Sequence, residues 1–122
     1  MNAIMSIKPE FVSEMIKGTK KFEYRKSFLK EIPGKCYIYS TLPVGKVVGY
    51  FTIRKVHRSG VQEIWIRTKK SSGITKSFYN AYYSGKEKAV AIEIENLVIF
   101  DEFMDYSDFD KKGKVPQSYK KI

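Results

Sequence analysis

Cysteine occurs once, at Cys36, so no internal disulfide can form. That argues against a disulfide-built secreted scaffold and for a reducing compartment. Histidine also occurs once, at His57, and the two together cannot furnish the four ligands of a structural zinc site. There is no Walker loop, no GxGxxG, no CxxC pair and no HExxH. No apolar run approaches the roughly 18 residues that a membrane-spanning helix needs. Met1 to Lys8 lacks the basic-then-apolar layout of a signal peptide. The expectation is a cytoplasmic protein with no metal, no cofactor and no membrane partner.

Acidic residues are the remaining shortfall. Thirteen Asp and Glu stand against 23 Lys and Arg, a formal net charge of +10. Such an excess favours polyanions, RNA or a nucleotide above all, although a lysine-rich surface also simply solubilises a protein. The rest is ordinary. At 122 residues, 43% hydrophobic and 30% charged, the chain can bury a core without staples. It reads as a single domain over residues 1–122.

The hydrophobic pattern predicts mostly strands. Ala3–Ile7 is a short apolar strand. Pro9 and Gly18 bracket a helix whose apolar face is Phe11, Met15 and Ile16. Lys20–Arg25 alternates, with Phe22 and Tyr24 on one side and Lys21, Glu23 and Arg25 on the other. Cys36–Tyr39 and Val47–Val56 follow as strands, and Gly49 permits a bend in the second. Val61, Ile64, Trp65 and Thr68 have helical spacing. A further helix is capped by Thr75, has Phe78, Ala81 and Tyr82 as its apolar face, and stops at Gly85. Lys88–Phe100 is a last long strand, and the acidic, aromatic stretch Asp101–Asp110 leads into an extended end. The predicted class is α+β, strand-dominated: a small β-barrel decorated by about three helices.

Few residues suggest chemistry. His57 lacks a visible orienting partner and reads as a surface residue. Cys36, inside a strand, reads as a small buried hydrophobe. The segment Lys20–Arg25 stands apart, because Glu23 and Arg25 share one strand face. There Arg25 can clamp a phosphate in bidentate fashion, and Glu23 can accept from a base or hold Arg25 in place. The plainer alternative is a solvated face with a weak ion pair.

Several pieces, in register, resemble one family. Gly18-Thr19-Lys20-Lys21-Phe22-Glu23-Tyr24-Arg25 is similar to the G-x-K-x-aromatic-E-aromatic-R strand of ASCH domains, a branch of the PUA-like superfamily. Ser6-Ile7-Lys8-Pro9 resembles that family's opening strand. Tyr37-Ile38-Tyr39-Ser40-Thr41-x-Pro43, Gly45–Ile53, Ser72-Gly73-Ile74 with Phe78 and Tyr82, and Pro116-Gln117-Ser118-Tyr119 resemble its later segments. The resemblance implies a PUA-like β-barrel with a cleft between barrel and helices. Lys8, Lys20, Glu23, Arg25, Ser40 and Ser118 would gather there, with Tyr119 beside them. It also implies binding of RNA or modified nucleotides, with hydrolases among its members, both ribonucleases and an amidohydrolase of acetylated cytidine. That amidohydrolase branch places a threonine nucleophile three residues after the motif lysine, where this chain has Glu23. A carboxylate replaces a hydroxyl poorly in amide hydrolysis.

Three readings result. The first is an RNA- or modified-nucleotide-binding domain in RNA metabolism. Lys8, Lys20 and Arg25 would neutralise phosphate, and a tyrosine among Tyr39, Tyr79, Tyr82 and Tyr119 would stack a base. The second is a hydrolase using Lys20 and Glu23, with Ser118 as a candidate hydroxyl. The third is a protein-interaction module built on Asp101–Asp110, a stretch that reads equally as a loop folded back on the protein's own basic surface. Arg25→Ala should weaken ligand binding while changing stability little, within about 0.5 kcal/mol. Tyr24→Ala, in the core, should cost roughly 3 kcal/mol.

Overall fold

Proline inside the first turn and glycine past the last delimit the first helix as expected. The computed structural model describes residues 1–122. In chain order it has β1 (Ala3–Ile7), α1 (Pro9–Lys17), β2 (Phe22–Arg25), β3 (Cys36–Ser40), β4 (Lys46–Gly60), α2 (Val61–Thr68), α3 (Lys76–Tyr82), β5 (Lys88–Met104) and β6 (Tyr119–Lys121). Short 3-10 turns occupy Lys69–Ser71 and Tyr106–Asp108. Gly18 takes the left-handed conformation (φ 83°) that closes α1, and its N–H donates to the Met15 carbonyl at 3.1 Å. No helix is long and apolar enough to cross a membrane.

The strands form one sheet in the order β2-β5-β4-β3-β1-β6. Only β1 and β3 are parallel; every other pair is antiparallel. The architecture is the predicted strand-dominated α+β fold: a curled half-barrel with three helices packed on it. The curl has a local cause. The β4–β5 register shifts between Val47 and Gly49, Tyr50 and Thr52, and Ile53 and Lys55. Each extra residue bends its strand and increases its twist. Gly49 is required at the first bend, because a Cβ there would press into the Val98 carbonyl oxygen and lie 3.0 Å from Ile99 Cα.

Three apolar clusters hold the layers. The largest joins α1 (Val12, Met15) to the inner face of β1, β3, β4 and β5 through Met5, Ile38, Phe51 and Ile92. Cys36, fully buried in this cluster, has its thiol pushed up to about 12 by burial, so it acts as a hydrophobe. A second cluster sets α2 and α3 against the sheet through Ile64, Tyr79, Tyr83, Tyr24 and Ala91. A third, Ile4, Tyr39 and Val47, lies on the opposite face of the sheet.

The helical faces differ from their predicted registers. In α1 the buried pair is Val12 and Met15, while Ile16 is 58% exposed. In α3 and its C-cap the buried pair is Tyr79 and Tyr83, whereas Ala81 is exposed. Positions 78, 79, 82 and 83 are all aromatic, so α3 carries two adjacent i, i+4 stripes, and either satisfies helical periodicity. Packing against Trp65, 4.7 Å from the Tyr79 ring, selects the 79/83 stripe. Thr75 caps α3 as predicted, its hydroxyl accepting the Phe78 N–H at 3.0 Å.

The acidic stretch is partly strand and wholly folded back. β5 continues to Met104, which pairs with Val47. Tyr106 then packs edge-on against Tyr39 (5.8 Å), and Phe109 lies against Tyr37 (4.7 Å). Asp105 pairs with Lys46 and Asp110 with Lys120. The stretch thus covers the outer face of β3 with its own chain's basic residues as partners.

Candidate functional site

β2 is an edge strand of four residues, yet Glu23, Tyr24 and Arg25 are all buried. The sequence pattern predicts a polar face carrying Lys21, Glu23 and Arg25. Lys21 alone among these is exposed, and the other two point into the space between the sheet edges, α1 and α3. Arg25 is 8% exposed, so the solvated-face alternative fails, and the expectation that Arg25→Ala changes stability little is corrected. Alternation finds the two faces of a strand but does not say whether a third layer covers the polar one.

Lys20 enters from the connection before β2. An isolated bridge to Ser72 brings it against the turn after α2, and its Nζ donates to the Ser72 carbonyl at 3.1 Å. Gly73 makes this approach possible. A Cβ there would crowd the Lys20 side chain and lie 2.9 Å from Lys20 Cα, and Gly73 has φ +65°. From there a continuous ionic trio forms. Lys20 Nζ lies 3.4 Å from Glu23 Oε1, and Glu23 Oε2 accepts from Arg25 Nη2 at 2.5 Å. The side chains of Lys20 and Glu23 are 1% and 6% exposed, so water contributes little to their neutralisation.

Arg25 then closes the half-barrel. Its Nη2 donates to the Ser6 carbonyl on β1 at 2.8 Å, and its Nη1 to Ser118 Oγ, just before β6, at 3.2 Å. β2 and β6 are opposite edges of the sheet, so one guanidinium spans the gap that backbone pairing leaves open. Its backbone carbonyl is held by Tyr83 Oη at 2.8 Å. Arg25 Nε is buried without a partner.

Burial holds the Lys20 ammonium below its ordinary pKa, and Glu23 opposes that shift. Phe11 and Tyr24 present ring faces to the same ammonium, with centroids 5.2 and 5.0 Å away. Tyr24 Oη shares a hydrogen bond with Thr68 Oγ1 at 2.7 Å, and burial pushes its phenol up to about 12.

The trio forms the floor of a cavity of about 400 Å³, within the roughly 300–1,000 Å³ of small-molecule sites. Its charged lining is three cations, Lys8, Lys20 and Arg25, against one carboxylate, Glu23. Phe11, Ile74, Phe78 and Tyr82 supply apolar wall. Lys8, the residue before α1, is exposed and sits 5.3 Å from the Phe78 ring centroid.

The other predicted residues fall in different places. Ser118 reaches the site through Arg25. Ser40 is buried in β3 outside the lining, which its neighbour Thr41 joins. Tyr119 packs edge-on against Phe28 (5.2 Å) and shares a hydrogen bond with Ser27 (3.3 Å), also outside the lining. Among the stacking candidates only Tyr82 lines the cavity; Tyr39 and Tyr79 are core residues. His57 is half-buried on the sheet, 2.8 Å from Glu93 Oε1 and edge-on to Phe22, away from the cavity. No three His, Cys, Asp or Glu side chains gather as metal ligands do.

A model of the ASCH domain matches residues 5–98. The chain belongs to the ASCH domain family. An ASCH domain-containing ribonuclease from Zymomonas mobilis is 30% identical over 90 residues, 73% of this chain and 61% of that protein. A large ribosomal subunit protein uL22 from Ureaplasma parvum is 36% identical over 73 residues, 60% of this chain and 24% of its own length. The chain thus spans less than two thirds of the curated relatives it matches. The crystal structure of ASCH from Zymomonas mobilis superposes with a TM-score of 0.90 at 24% identity, covering 99% of this chain and 87% of that one. That likeness establishes the ASCH fold through residues 99–122, which the family match does not reach.

The sequence marked Phe11 and Phe78 only as core positions of this ASCH domain. The available signal for the cavity wall was the doubled aromatic stripe of α3. Phe78 and Tyr82 are one turn apart on the stripe next to Tyr79 and Tyr83, and Tyr82 touches both the cavity and the Tyr83 ring (4.8 Å).

Proposed function

We propose that this ASCH domain binds single-stranded RNA and seats one nucleotide in the cavity above Lys20, Glu23 and Arg25. The observation that carries this reading is the charge of the lining. Glu23 is already shared by two cations, so the lining as a whole retains positive charge facing an apolar wall. A nucleotide offers the complement: an anionic phosphate for Lys8, Lys20 or Arg25, and a flat base for Phe78 and Tyr82. The +10 net charge adds long-range attraction for the rest of the strand. The named ribonuclease among the relatives supports an RNA-directed role.

The test is fluorescence anisotropy of labelled single-stranded RNA at two salt concentrations. Affinity should fall steeply with salt, because each phosphate contact releases counterions. No binding at low salt would overturn the reading. Salt-insensitive binding would point instead to a small neutral ligand.

One observation favours hydrolysis as a second reading: Lys20, with its lowered pKa, lies 3.4 Å from Glu23 inside the cavity. Such a group gives up its proton more readily than an ordinary lysine does. Cleavage would use the RNA's own 2′-hydroxyl. Its oxygen attacks phosphorus, its proton passes to the Glu23 carboxylate, and the 5′-oxygen leaves and takes up a proton from the Lys20 ammonium. The products would be a 2′,3′-cyclic phosphate and a 5′-hydroxyl. A 2′-deoxy substitution at the cut site should then abolish cleavage. Cleavage that persists in Lys20→Ala and in Glu23→Gln would remove both residues from the chemistry. Deacetylation of acetylated cytidine should be weak or absent, since Glu23 occupies the nucleophile position; chromatography of the nucleoside checks this.

A further inference from the structure

Ser118 and Gln117 belong to a segment with little regular structure to hold it. After Asp110 the chain runs without helix or strand to β6, a three-residue edge strand. Yet this segment forms one wall of the site. Gln117 lines the cavity, Ser118 Oγ accepts from Arg25, and Ser6 Oγ donates to the Pro116 carbonyl at 2.6 Å.

Both ends of the segment meet at one carboxylate. Asp110 Oδ2 accepts from Tyr106 Oη at 2.8 Å and from Lys120 Nζ. Tyr106 Oη also reaches the Lys114 carbonyl at 3.1 Å, inside the segment. Gly113 packs so closely on Asp110 and Lys120 that a Cβ there would collide with both. Tyr106 and Phe109 in turn rest on Tyr39 and Tyr37 of β3. A contiguous chain of contacts therefore runs from the outer face of β3, through Tyr106, Asp110 and Lys120, into β6, Ser118, Arg25 and the buried trio.

We propose that Asp110 is a positioning residue: with Tyr106 and Lys120 it clasps the C-terminal segment so that Gln117 and Ser118 complete the cavity beside Arg25. Its effect on RNA affinity rests on the proposed binding role, while its effect on Arg25 does not. A three-residue edge pairing is marginal alone, and the clasp shortens the free loop that it must close. Releasing the clasp lets the wall lift, which frees Arg25 Nη1 and admits water to the buried Nε.

The test compares Asp110→Asn, Lys120→Ala and Lys120→Arg in the full chain. Leu97→Ala serves as the control, a partly buried β5 residue that packs on the main apolar cluster and makes no hydrogen bond or ion pair with the clasp. The readouts are the exchange rate of the Arg25 Nε–H proton by NMR, trypsin cleavage after Lys111, Lys112 and Lys114, and RNA affinity. Asp110→Asn and Lys120→Ala should speed both exchange and cleavage by roughly threefold to fivefold, the factor that a partly exposed ion pair contributes. RNA affinity should fall by a similar factor. Lys120→Arg should restore all three, and Leu97→Ala should leave Arg25 exchange unchanged at temperatures well below its melting point. If Asp110→Asn leaves Arg25 exchange at the parent rate, or Lys120→Arg behaves like Lys120→Ala, the positioning role is refuted. If the parent binds no RNA while the exchange pattern holds, the clasp stands and the RNA-binding reading falls.

Discussion

Replacing Glu23 by glutamine removes one charge and almost no volume. The carboxylate is the only anion within reach of two buried cations, with Lys20 Nζ at 3.4 Å and Arg25 Nη2 at 2.5 Å. Glutamine leaves both cations uncompensated and turns an N–H₂ group toward one of them. Breaking a buried ion pair by removing one partner costs about 3–5 kcal/mol, because the remaining charge stays desolvated. For 122 residues, at about 2.1 cal/mol/K of unfolding entropy per residue, 1 kcal/mol corresponds to roughly 4 °C. The expected fall in Tm is therefore about 12–20 °C by differential scanning calorimetry. Lys20→Met added to Glu23→Gln should recover part of the loss, since it removes one orphan cation and leaves an apolar chain against Phe11 and Tyr24. A Glu23→Gln protein melting within about 2 °C of the parent would refute the premise that the trio is desolvated.

Arg25→Ala should destabilise by about 2–4 kcal/mol instead of staying near neutral, because it removes bonds to Glu23, Ser6 and Ser118 together; a denaturant midpoint equal to the parent's would restore the solvated-face picture. Tyr24→Ala should cost on the order of 3–5 kcal/mol, from the lost ring and its Thr68 hydrogen bond, measured the same way. Gly73→Ala should lower Tm and weaken RNA binding together, since a Cβ forces the turn off Lys20; unchanged binding would separate that turn from the site. Lys20 sets a pH dependence. Its folded-state pKa lies below the ordinary lysine value of 10.5, so between the two the unfolded chain binds more protons. Its contribution to stability therefore rises with pH across that window, and Lys20→Met should abolish that component in pH-dependent unfolding.

Periodicity along the chain determined most of the elements of this protein. The alternation of β-branched and aromatic residues located the strands, and Pro9, Gly18 and Thr75 set helix ends within a residue or so. These signals are local: they depend on side-chain direction and backbone conformation over a few residues. The motif Lys20–Arg25 was legible for the same reason. Burial of that motif was not. Whether Glu23 and Arg25 meet water depends on α1, α3 and the Ser72–Gly73 turn arriving over a strand edge from distant parts of the chain. The same holds for α3, where two aromatic stripes were equally periodic and only contact with Trp65 chose between them. Asp101–Asp110 read equally as a partner-binding stretch or as a loop folded on the protein's own basic surface; Lys46, distant in sequence, and Lys120 decide for the second. Local sequence specifies which way a side chain points. What stands in front of it is decided by the closing of the sheet, where Arg25 joins two edges that are 93 residues apart in the chain.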